Sequence, residues 1–89
     1  MARSHAKPAT PAKPRPVRLE LNNSGSWKVL ARFDAGDDEA ADKARQAGQL
    51  LGELGGDRTT LRISTDTTLP IVLLRWSLQG GWATEEPRA

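Results

Sequence analysis

The twenty residues Asp37–Gly56, DDEAADKARQAGQLLGELGG, decide the fold, because here the spacing of apolar residues becomes helical. Ala40, Ala44, Ala47, Leu51 and Leu54 fall at steps of four, three, four and three, which lines them up on one helix face, and Leu50 widens the stripe. Asp37, Asp38 and Glu39 bring acceptors and negative charge to the free amides of the first turn, and Gly55-Gly56 supply a stop. So many alanines predict a helix lying close to a sheet, with Trp27, Phe33 and Trp76 filling the volume beneath it.

On both sides of this stretch the period is two. Val17, Leu19 and Leu21 alternate with Arg18 and Glu20, and Asn22–Gly25 are turn formers. A second alternation then sets Trp27, Val29, Ala31 and Phe33 against Lys28, Leu30 and Arg32, which predicts a hairpin. Beyond the helix, Leu61 and Ile63 point inward from a strand over Thr59–Thr65, and Thr67, Thr68 and Pro70 break it. A further strand, Ile71–Leu78, places Val72, Leu74, Trp76 and Leu78 inward and Ile71, Leu73, Arg75 and Ser77 outward. A two-residue turn at Gly80-Gly81 pairs Leu78 with Ala83 and turns Trp82 outward beside Arg75; a one-residue shift of that turn reverses it. The expected architecture is a small α+β domain, ββαββ(β), with one mostly antiparallel sheet packed on a single helix.

A chain of 89 residues has room for one domain. Its formal charge of +2 conceals a division: residues 1–18 hold five basic side chains and no acid, and the remainder holds eight basic and eleven acidic ones. The expected organisation is a disordered, basic, Pro/Ala-rich tail over residues 1–16, one domain over 17–85 and a frayed end over 86–89. The basic start lacks the apolar run of a signal peptide, and no stretch is apolar enough to span a membrane, so the expected location is the cytoplasm. Size and style suit a small accessory protein of bacterial or phage type.

The same residues point away from catalysis. There is no cysteine, and the lone histidine, His5, lies in the tail, so a nucleophile would have no placed base. The acids around Asp34–Glu39 suit helix capping, and they lack the ligand spacing of a calcium loop. No metal and no cofactor is expected.

One helix covers one face of a sheet, so the other face carries the functional expectation. The outward positions make a candidate interaction face of Arg18, Lys28, Leu30, Arg32, Arg62, Ile71, Leu73, Arg75 and Trp82. Its apolar members, Leu30, Ile71, Leu73 and Trp82, point to self-association, as a homodimer, or to a protein partner. The alternative is single-stranded nucleic acid, with Trp82 stacking on a base and the cations of the face or tail meeting phosphates.

Overall fold

A computed structural model describes residues 14–84, so the expectations for the tail before Pro14 and for the end after Thr84 lie outside the described residues. The described chain runs β1 (Pro16–Asn22), β2 (Trp27–Asp34), α1 (Asp38–Gly55), a 3-10 turn (Gly56–Arg58), β3 (Thr60–Thr65), β4 (Val72–Ser77) and β5 (Gly81–Thr84). All strands join one antiparallel sheet in the order β2-β1-β3-β4-β5, with the helix on one side, so the α+β architecture is the one the alternation predicts. Among the described residues no helix is long and apolar enough to cross a membrane.

Local chemistry sets the element ends. Asn22 Oδ1 accepts from the amides of Ser24 and Gly25, and Gly25 takes φ 100°, which turns β1 into β2. Asp37 caps the helix by accepting from the amides of Glu39 and Ala40, and Gly56, at φ 82°, closes it. Arg15, expected in the tail, is already tied to the body: its amide donates to Asp34 Oδ1, and its carbonyl accepts from Ala35.

The core is the helix side of the three central strands. Val17, Leu19, Leu61, Ile63 and Trp76 are buried together, with Leu21, Phe33, Leu74 and Trp82 packed around them. The helix meets this core along a different line from the expected one. Ala41, Gly48 and Gly52 are its buried residues, while Leu51 and Leu54 are 41% and 85% exposed. At about 100° per residue this turns the packed stripe by roughly a quarter turn. Two indoles are the cause. A Cβ on Gly48 would come within 2.7 Å of Trp82 Cζ2, and one on Gly52 would run into the six-membered ring of Trp76. Only glycine lets the helix axis settle over both rings.

Three local events redirect side chains. A bulge opposite Leu19/Glu20 makes Leu30 the extra residue of β2. Every residue between it and the hairpin changes face. Trp27 and Val29 therefore stand on the open face opposite Asn22 and Glu20, and Lys28 stands on the helix side opposite Leu21. A second bulge opposite Ile63/Ser64 makes Leu73 the extra residue of β4 and brings Val72 to the open face. Last, the turn between β4 and β5 holds three residues, Leu78 to Gly80, with Gly81 at φ 68°, and it pairs Trp76 with Trp82 and Arg75 with Ala83. Trp82 thus belongs to the helix side, and Leu78 lies in the turn.

Candidate interaction surfaces

The open sheet face is organised around one carboxylate. Glu20, at the centre of β1, is 3% exposed although no helix covers it. Its Oε1 accepts from Arg62 Nε at 2.6 Å and from the Ser64 hydroxyl at 2.9 Å, and Arg18 Nε lies 3.1 Å from Oε2. Arg18 and Arg62 lie across the strands, burying the carboxylate beneath their own stems. Arg62 also places its guanidinium 4.0 Å from the ring centroid of Trp27, and so one face of that indole is taken. Asp66, in the loop after β3, continues the network, with Arg18 and Arg32 at 3.5 and 3.3 Å from its oxygens. Asp66 is fixed in turn by its amide, which donates to the Pro16 carbonyl.

Burial pushes the Glu20 carboxyl up, but the hydrogen bonds from Arg62 and Ser64 and the charges of Arg62 and Arg18 outweigh it. The carboxyl is held below its ordinary value. Glu20 is therefore the ionised centre of a layer in which Arg18, Arg32 and Arg62 share two acids, Glu20 and Asp66.

The nine residues expected to share one surface do not share it. Arg18, Arg32, Arg62 and Arg75 lie on the open face, and the first three are committed to Glu20 and Asp66. Leu30 and Leu73 sit at the bulges, and Ile71 lies just before β4. Lys28 and Trp82 lie on the helix side. Trp82 also donates from Nε1 to the Arg45 carbonyl at 2.9 Å, which ties β5 to the middle of the helix.

The expectation missed the outward flank of α1. Because glycines take the packed line, Leu50, Leu51 and Leu54 are left at 62%, 41% and 85% exposure. Ala47 is exposed beside them. The signal was in the sequence. Gly48 and Gly52 stand one turn apart inside a helix, where neither serves as a cap, and glycine held there at a cost of about 1 kcal/mol relative to alanine has a packing reason.

The described residues bring together no group of three or more His, Asp or Glu that could hold a metal ion. No protein-family model, curated protein or solved structure matches the chain.

Proposed function

We propose that this protein is a small, non-catalytic association module that covers its apolar surface by binding a copy of itself. One observation carries the reading: the described body buries Val17, Leu19, Ala41, Leu61, Ile63 and Trp76, yet exposes nine large apolar side chains, among them three leucines on one helix. Apolar residues scattered singly on a surface need no partner, whereas Leu50, Leu51 and Leu54 are contiguous. Single-stranded nucleic acid is less well served. Arg62 occupies a face of Trp27, Trp82 lies beneath the helix, and three arginines of the open face are paired with acids.

Sedimentation of the full-length chain tests the reading. The expected result is a species heavier than the 9.7 kDa monomer, and its fraction grows with concentration. A chain still monomeric at about 0.5 mM, where even a dissociation constant near 1 mM would show, overturns it.

A further inference from the structure

The exposed side of α1 carries more than leucines, and its full pattern is complementary to itself. At about 100° per residue, Lys43, Gln46, Ala47, Leu50 and Leu54 lie on the side away from the buried Gly48 and Gly52. Lys43, Gln46, Ala47 and Leu50 are related by steps of three and four, the arrangement that makes a four-residue hole on a helix surface, and Ala47 keeps that hole shallow-walled. Leu50 is the projecting apolar side chain next to it. From Gln46 to Gly52 the helix has no charge; before it on this side stands Lys43, paired one turn back with Glu39, and after it stands Glu53.

Resting on the self-association reading, we infer that two copies pack their α1 helices antiparallel about a two-fold axis, each Leu50 seated in the hole of the other. Seating Leu50 among Lys43, Gln46, Ala47 and Leu50 of the second copy fixes the height of one helix against the other. In that register Glu53 of each copy stands level with Lys43 of the other, and the two-fold makes the pairing occur twice. Reversing either helix would set Lys43 level with Lys43 and lose this match. Within one chain both groups are open to such an exchange. Lys43 is 75% exposed and lies only 3.5 Å from Glu39 in a surface pair worth little, and Glu53 accepts a bond from the neighbouring Gln49. Leu54 then lies over the aliphatic stem of the second copy's Lys43. A second copy is favoured over an unrelated partner because one helix supplies knob, hole and both signs of charge.

The test is a charge exchange read by sedimentation equilibrium at low salt, with circular dichroism to verify the helix in each variant. All three positions are outside the core, so the fold should persist. Lys43→Glu should weaken dimerisation about tenfold by facing acid with acid, and Lys43→Glu combined with Glu53→Lys should restore it to within about threefold of the parent. Leu50→Lys should leave a monomer. If Leu50→Lys dissociates the dimer while Lys43→Glu does nothing, the antiparallel register is wrong and self-association stands. A parent chain that is monomeric throughout removes both.

Discussion

Two glycines and two tryptophans set the position of the helix, and each depends on the other. Trp76 is 3% exposed beneath Gly52, and Trp82 spans the space under Gly48 while bonding to the Arg45 carbonyl. Gly52→Ala therefore opposes two effects. Alanine gains about 1 kcal/mol of helix propensity, but its methyl group would overlap the Trp76 ring, at a cost of about 1–3 kcal/mol for overpacking. The ring is enclosed and cannot swing aside, so the net change is destabilising; urea denaturation of Gly52→Ala that matches or exceeds the parent would show that the helix can lift off. Removing the ring itself is worse. Trp76→Ala should cost about 3–5 kcal/mol, most of the stability of so small a domain, and should lower the thermal midpoint drastically. At Glu20 the controlling variable is pH. Its folded pKa lies below the unfolded one, so it contributes stability above the ordinary carboxylate range, and that contribution is lost as pH falls through the folded value. Thermal midpoints measured from about pH 7 down to about pH 3 should fall at the acid end, and Glu20→Gln should flatten that limb while starting from a lower midpoint at neutral pH. An acid limb with equal slope in both proteins would place the titrating group elsewhere.

At the scale of elements, the sequence was legible where period and punctuation agreed. The alternation in Val17–Leu21 and Leu61–Ile63, the acids at Asp37–Glu39 and the Gly55-Gly56 stop all describe what the chain forms. Faces were legible only as far as the count of residues was unbroken. Leu30 and Leu73 each add one residue to a strand without any turn former to announce it, so Trp27, Val29, Lys28 and Val72 stand on the faces opposite to those their alternation implies. The last hairpin fails for a related reason. Gly80-Gly81 reads as a two-residue turn, yet the backbone uses Gly81 as its left-handed closing residue, and Ser77 Oγ accepts from the Gly80 amide inside the turn. The resulting shift is odd, and it carries Trp82 from the open face to the core side. This makes the position of the left-handed residue the determinant of the β5 register. Gly81→Val puts a β-branched side chain at φ 68° and should disrupt β5, seen as lost protection of its amides and a red-shifted Trp82 fluorescence, while the β1–β3 amides stay protected.

For the whole molecule, the proposed self-association would make stability a function of concentration, because a small core is set against a broad apolar exterior. A sheet of five strands covered by one helix buries few large residues, and the open face spends its polar groups on one another through Glu20 and Asp66. Neither layer leaves much margin for a chain of this size. The proposed association, which covers Leu50 and Leu54, would bind the folded state and not the unfolded one, and so would stabilise by mass action. Raising the protein concentration from about 5 µM to about 500 µM should then raise the thermal midpoint by roughly 9–18 °C for a dissociation constant near 5 µM, since the stabilisation grows from about 0.4 to about 2.7 kcal/mol over that range and each kcal/mol moves a domain of this size by roughly 4–8 °C; a weaker constant gives a smaller rise. Leu50→Lys should melt at a single temperature across the same range, near the dilute limit of the parent, because Leu50 is outside the core and its loss removes only the association. Parent melting curves that superimpose at every concentration would mean that the leucine flank stays open to water, and the stability of the fold would then have to come from the described core alone.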